Sequence, residues 1–214
     1  MRLIDLSHSI TADISLFPGT EPPVIRQTST VAQDGFSEMS IRFTTHTGTH
    51  VDAPYHILQH GKTLDEFPPE QFYGPAMVAD CTRVNNGSIS LADLMPYANI
   101  LNTLDFVLLN TGWSDKWKSA AYLNDFPTLS IECAQWLSTF SLKGIGVDVI
   151  SVDKIDSSML PVHQILLKQN YLIVENLTNL SEMGRGIFTF SCLPLKIEKA
   201  DASPVRAVGI INNH

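Results

Sequence analysis

Residues 45–56 read Thr45-His46-Thr47-Gly48-Thr49-His50-Val51-Asp52-Ala53-Pro54-Tyr55-His56, and no other stretch restricts the backbone as strongly. Four of the seven histidines, His46, His50, His56 and His60, fall between positions 46 and 60. His and Asp side chains suit a borderline divalent metal such as zinc. His46 and His50 are four apart, which would place them on one face of a helix. Gly48, three threonines, Val51 and Pro54 are poor helix formers, however. In a straight strand, positions four apart lie about 13 Å from each other, too far for two imidazoles to converge on one ion. His50 and Asp52 are two apart and share a strand face at about 6.6 Å. The segment therefore predicts a sharp bend at Gly48, where a residue without a Cβ reaches unusual backbone angles. A surface loop of idle histidines is the competing reading, and the density of three His and one Asp weighs against it. A purely structural zinc usually takes four protein ligands, often several Cys, and no Cys is near.

His56 lies four residues beyond Asp52, after the stiffening Pro54. It suits either a fourth ligand or a general acid/base, since an unperturbed imidazole titrates at about 6.5. His60 precedes Gly61 and Lys62 in a polar turn and is expected to be exposed and without a role. Two distant residues sit in suggestive places. His163 falls in the first turn of a predicted helix, and Glu175 closes the apolar run Tyr171–Val174. A carboxylate at the end of a buried strand lies where α/β sites form. Each reads equally well as a site residue or as an ordinary cap or ion-pair partner. Asp148, Ser151 and Asp153 follow another apolar strand, with Asp153 suited to a turn or a cap.

The chain is long enough, at 214 residues, for one large domain or two small ones. A core of that size needs neither disulfide nor metal merely to fold. A net charge of −8 argues against nonspecific binding to nucleic acid or to an anionic membrane. Cys81, Cys133 and Cys192 are odd in number and form no CxxC pair, which fits unpaired buried thiols in a reducing compartment. No apolar run reaches membrane-spanning length, and the first residues lack a signal-peptide core, so the cytoplasm is the expected location.

Short apolar runs predict strands over 3–6, 24–30, 37–45, 76–81, 105–109, 144–148, 171–174, 187–191 and 205–211. Helices are predicted over 90–101, 130–142 and 158–168, each opening on a Ser cap, the third with Pro161 in its first turn. Met39, Ile41 and Phe43 alternate with polar residues, which predicts a strand with one face in the core. The expected fold is a mixed, β-rich α/β single domain over residues 1–214, with its helices late in the chain.

The segment from His46 to His56 resembles the HxGTHxDxPxH signature of the cyclase-like metal-dependent hydrolases. The resemblance continues through Asp5-Leu6-Ser7, Phe17-Pro18-Gly19, Asn110-Thr111-Gly112-Trp113 and Gly146-Val147-Asp148 with Ser151 and Asp153. It extends to Pro161-Val162-His163, Glu175-Asn176-Leu177 and Ala202-Ser203-Pro204-Val205-Arg206. It implies a swivelling β/β/α fold and homodimers or homotetramers. It also implies two zinc ions per subunit, although manganese and other divalent metals suit the same N/O donors. His46, His50 and Asp52 would hold one ion, with Asp52 shared. His163 and Glu175 would complete the second, and His56 would match the proton donor and acceptor. The isatin hydrolase branch has an amide in place of Glu175 and a single metal, so the carboxylate here favours two.

Two departures concern the substrate. The formamidase branch places a Trp where this chain has Phe17, and Thr49 and Ile57 occupy variable places in the signature. Phe17 still stacks on an aryl ring but has no indole N–H. Trp113 is assigned either to the pocket wall or to the core. The implied activity is hydrolysis of a small aryl amide by metal-activated hydroxide. In the kynurenine formamidase branch of tryptophan catabolism, this converts N-formyl-L-kynurenine and water to L-kynurenine and formate. The alternatives are hydrolysis of isatin or another cyclic or small amide, and a non-catalytic protein that binds a carboxylate through its metal.

Overall fold

The computed structural model describes residues 1–84 and 87–212. In chain order the strands are β1 (Arg2–Asp5), β2 (Val24–Ser29), β3 (Glu38–Arg42), β4 (His50–Asp52), β5 (Tyr73–Asp80), β6 (Ser88–Ile89), β7 (Phe106–Asn110), β8 (Thr128–Leu129), β9 (Gly144–Val147), β10 (Leu172–Glu175), β11 (Phe188–Ser191), β12 (Ala202–Pro204) and β13 (Val208–Ile211). The helices are α1 (Val31–Asp34), α2 (Leu91–Leu94), α3 (Ala98–Leu101), α4 (Ile131–Leu137) and α5 (Pro161–Leu167). Nine strands form one mixed sheet in the order β1-β13-β11-β5-β7-β9-β10-β4-β12. Its centre, β5-β7-β9-β10, is parallel. Antiparallel strands flank that centre on both sides.

The central strands read as apolar runs because both of their faces are covered. Met77, Val107, Ile145 and Ile173 point to a core shared with Leu94, Leu101, Leu137 and Leu166 of the helices. Their neighbours Val78, Phe106, Leu108 and Val174 point the other way, against Ile4, Leu6, Phe188 and Phe190. Helices thus cover one face, and the outer strands with their loops cover the other. Full burial of a side chain such as Ile145 contributes about 1.5–3 kcal/mol. Ser7, just past edge strand β1, bridges to Leu177, just past β10, so the sheet curls back on itself. Among the described residues, no helix is long and apolar enough to cross a membrane.

Several predicted elements take a different form. The helix over 90–101 is broken: a 3-10 turn at Met95–Tyr97 separates α2 from α3. Pro96 lies in that turn, has no N–H to donate and cannot continue an α-helix. The predicted Ser caps hold for α2 and α4. Helix α5 begins at Pro161 instead of near Ser158, with Leu160 at φ 42° before it and no cap from its own side chain. The strand predicted over 205–211 is the shorter β13, and β12, just before it, was not predicted and pairs in a different part of the sheet. Trp113 is a core residue: it is buried, and its indole N–H donates to the Tyr122 carbonyl at 2.9 Å.

The largest departure concerns β3. Met39 and Ile41 were expected to face the core, yet they are 51% and 54% exposed. Among the described residues, strand β3 pairs only with β2, as a separate two-stranded sheet. Ile25 lies opposite Ile41 and Gln27 opposite Met39, so their side chains share one uncovered face of this hairpin.

Candidate metal centre

The site is built where β4 runs antiparallel beside the end of β10. Register places His50 opposite Glu175 and Val51 opposite Val174. Directly opposed residues share a face. His50 and Asp52 therefore project on the same side as Glu175, which is the side packed by α5. Glu175 is the last residue of its strand, at the carboxyl mouth of the parallel centre.

Gly48 supplies the bend expected ahead of β4. Its φ is +66°, and an added Cβ would also lie 3.4 Å from the Ile10 side chain. The turn folds His46 back until its ring centroid is 5.0 Å from that of His50. The Gly48 carbonyl then accepts from both His50 Nδ1 and the Asn176 side-chain amide, each at 2.9 Å. This holds Nδ1 of His50 as the donor and leaves Nε2 for the pocket. Pro54 begins a 3-10 turn that carries His56 to within 4.1 Å of the His46 ring, measured between centroids.

His163 arrives from α5 with its orientation set by Asp153. The Asp153 carboxylate accepts from the backbone N–H groups of Val162 and His163 at 3.1 and 3.0 Å, capping the helix from outside. It also takes His163 Nδ1 at 2.8 Å. The opposite ring nitrogen then faces Glu175 Oε1 at 3.4 Å and Asp52 Oδ2 at 3.9 Å. Glu175 Oε1 is steadied by the Val152 N–H at 3.1 Å.

Asp52 lies at the centre. It is completely buried. His46 Nδ1 lies 2.9 Å and His50 Nε2 3.3 Å from its Oδ1. Neither approach has hydrogen-bond alignment: both Asp52 oxygens and His50 Nε2 are buried without a hydrogen-bond partner. A buried carboxylate so placed would cost several kcal/mol if it were left uncompensated. Donor atoms of His46, Asp52 and His56 fall within 4.8 Å of one another, and so do those of His50, Asp52 and Glu175. Unpaired oxygens ringed by imidazoles and a second carboxylate fit a hard-to-borderline divalent cation, with Asp52 common to both groups.

The electrostatics agree. Burial pushes the Asp52 carboxyl up, but the neighbouring His50 and His46 outweigh it and hold the group well below the usual range. Burial also opposes charge on His163, yet Asp153 and Glu175 raise it to about 10. His46, between Asp52 and Asp201, is likewise raised to about 10 against its own burial. The pocket demands positive charge, which protons or a metal can supply in exchange for each other.

The cavity over these groups measures about 420 Å³. Phe17, Ile150 and Leu160 form its apolar wall, and Gly19, Thr20 and Glu21 its rim. A larger cleft of about 850 Å³ opens elsewhere, beside Ala120, Asn124, Phe126 and Lys154. Among the described residues it has no converging buried donors, so chemistry places the site in the smaller cavity. His60 is exposed, and His8 stacks on Trp117 at 4.1 Å between ring centroids, outside the cluster. Asp148 is buried and accepts from the Thr111 backbone N–H at 3.0 Å.

One carboxylate was read only in part and another escaped the sequence reading. Asp153 was expected only as a turn or cap, and it also orients His163. Asp201 was not singled out at all, yet its Oδ2 lies 3.0 Å from His46 Nε2. The one available signal was its place directly before the small-residue run Ala202-Ser203-Pro204.

The model of the family described as Putative cyclase matches residues 4–154. A kynurenine formamidase of Bacillus thuringiensis (strain Al Hakam) is 32% identical over 206 residues, covering 96% of this chain and 95% of its own. Among solved structures, isatin hydrolase A from Ralstonia solanacearum superposes with a TM-score of 0.87 at 25% identity, over 99% of this chain and 92% of that one. A potential metal-dependent hydrolase with cyclase activity gives 0.82 at 25% identity, over 100% and 99%.

Proposed function

Since the chain belongs to the cyclase family, we propose that it is a metal-dependent hydrolase of a small aryl amide, N-formyl-L-kynurenine, yielding L-kynurenine and formate. The observation that carries this reading is buried Asp52, with both oxygens free of hydrogen bonds amid His46, His50, His163 and Glu175. The similarity to kynurenine formamidase over nearly the whole chain supports the substrate.

Proximity groups His46 with Asp52 and His56, and His50 with Asp52 and Glu175. The family resemblance instead has His46, His50 and Asp52 hold one ion and Asp52, His163 and Glu175 a second, leaving His56 free for proton transfer, with zinc the metal best matched to these donors. Such an ion, when bound, lowers the pKa of a coordinated water to about 7 and polarises a carbonyl oxygen. The protein supplies the rest. Phe17 flanks the aryl ring on the apolar wall. Water adds to the formyl carbon, the C–N bond breaks, and the leaving aryl nitrogen needs a proton. His56, whose Nδ1 is turned toward Asp201, offers Nε2 for that transfer. Asp153 and the Gly48 carbonyl keep His163 and His50 aimed inward while charge redistributes.

The homodimer or homotetramer belongs to the same reading. An isolated two-stranded hairpin is marginally stable in water, and β2–β3 leaves Met39 and Ile41 uncovered. A second copy packed on that face would cover both side chains. The buried, unpaired Cys81, Cys133 and Cys192 support a cytoplasmic setting.

The test is a substrate panel of N-formyl-L-kynurenine, isatin and simple formamides, run with metal-loaded and chelator-stripped protein. Preferential, metal-dependent turnover of N-formyl-L-kynurenine is expected. Preferential ring opening of isatin would move the substrate to cyclic amides. Tight carboxylate binding without turnover across the panel would reduce the protein to a binder.

A further inference from the structure

Asp201 touches the site from outside the signature segment. It stands immediately before β12, where register pairs Ala202 with Asp52. Its own carbonyl accepts from the Ala53 N–H at 2.8 Å. The β4–β12 ladder therefore fixes this carboxylate relative to Asp52. One oxygen, Oδ2, serves two histidines: it lies 3.0 Å from His46 Nε2 and 3.8 Å from His56 Nδ1.

The two contacts have different consequences. His46 has Asp52 at Nδ1 and Asp201 at Nε2, so the ring spans two carboxylates. Only one of them, Asp52, is buried among the other donors. A metal-binding imidazole commonly gives its other N–H to a carboxylate, which fixes the ring and raises its donor strength. For His56 the same oxygen lies 3.8 Å from Nδ1, beyond hydrogen-bond length, so it draws that edge of the ring by charge and favours Nε2 toward the cavity. An ordinary surface ion pair would neither hold two site histidines nor be pinned by the strand that carries Asp52.

We propose that Asp201 is a positioning residue of the metal centre. It turns Nδ1 of His46 toward the metal shared with Asp52, and it turns Nε2 of His56 toward the substrate's leaving nitrogen. This rests on the hydrolase reading above. It adds a carboxylate that acts through two rings and touches neither metal nor substrate.

The experiment compares wild type, Asp201→Asn and Asp201→Ala, each stripped and titrated with cobalt(II) or zinc(II) alone against a competing chelator. Metal affinity is expected to fall about 10–100-fold in Asp201→Ala, and less in Asp201→Asn, which keeps an acceptor oxygen. The visible spectrum of the cobalt form should shift in both variants as His46 loses its fixed orientation. At saturating metal, kcat should fall about tenfold or more while KM stays within about twofold, the pattern of a transition-state proton donor set askew. Asp201→Asn is isosteric and keeps the test valid if Asp201→Ala does not fold.

Wild-type affinity, spectrum and kcat in the variants would overturn the proposal while leaving the hydrolase reading intact. Weakened metal binding with unchanged kcat at saturation would overturn the role assigned through His56. A wild-type protein that binds neither ion would overturn the hydrolase reading itself, and the role of Asp201 with it.

Discussion

The β2–β3 hairpin and the β4–β10 pair carry similar sequence patterns and meet opposite fates. In β3, Met39 and Ile41 alternate with polar residues and stay exposed. In β4, His50 and Asp52 alternate with Val51, and all three are buried. The difference lies in what surrounds each strand. β4 is flanked by β10 and β12 and covered by α5, whereas β3 has a single partner. Alternation specifies that a strand has two unlike faces. It does not specify what body covers the apolar face, nor that a buried face must be apolar. At β4 the buried face is polar because its charges compensate one another across strands.

Substitutions separate the two regions most sharply at Asp52. Asp52→Ala should abolish metal binding and lower activity by about three orders of magnitude or more, with metal content read by elemental analysis. Equal metal content in the variant would sink its role as a shared ligand. His56→Ala should retain stoichiometric metal and lose about 10²–10⁴-fold in kcat. A variant that turns over an aryl formamide at near wild-type rate would end the proton-transfer assignment. Glu175→Gln should shift occupancy from two ions toward one, with a smaller loss of rate; unchanged occupancy would contradict the two-ion site.

The β2–β3 hairpin should respond in the opposite sense. A double Met39→Ser, Ile41→Ser change should lower the solution mass to that of the single chain, measured by light scattering. Its effect on the single chain's own stability should stay within about 0.5 kcal/mol, as for other exposed positions. An unchanged mass would free the hairpin from the assembly.

The smallest effect is one of pH on metal-free protein. His46 and His163 are raised from 6.5 to about 10 in the folded state. Their contribution is fully present below the unfolded value and is lost as pH rises through the folded one. The melting temperature of stripped protein should therefore fall by several degrees between pH 6.5 and 10, and saturating zinc should blunt that fall. A flat profile in stripped protein would contradict the charge balance drawn for the pocket.

The sequence discloses what lies close together in the chain. The bend at Gly48 follows from the poor reach of two histidines four residues apart. His163 and Glu175 are visible because one opens a helix and the other ends an apolar strand. The central strands are legible because both faces are buried and the runs are unbroken. The ring-orienting roles of Asp153 and Asp201 do not show themselves, because they depend on contacts across 10 and 155 residues. The break at Pro96 was readable, since a proline cannot continue a helix, and the predicted helix over 90–101 did not take it into account. The exposure of Met39 and Ile41 was unreadable, since nothing in β3 states which neighbour is missing.

The central claim is that the cluster around Asp52 makes this chain a metal-dependent amide hydrolase. The most direct measurement titrates chelator-stripped protein with zinc while following formate release from N-formyl-L-kynurenine. Activity should be negligible without metal, rise with added zinc and level off near two ions per chain. Full activity in the stripped protein, or no hydrolysis at any zinc level, would contradict the account.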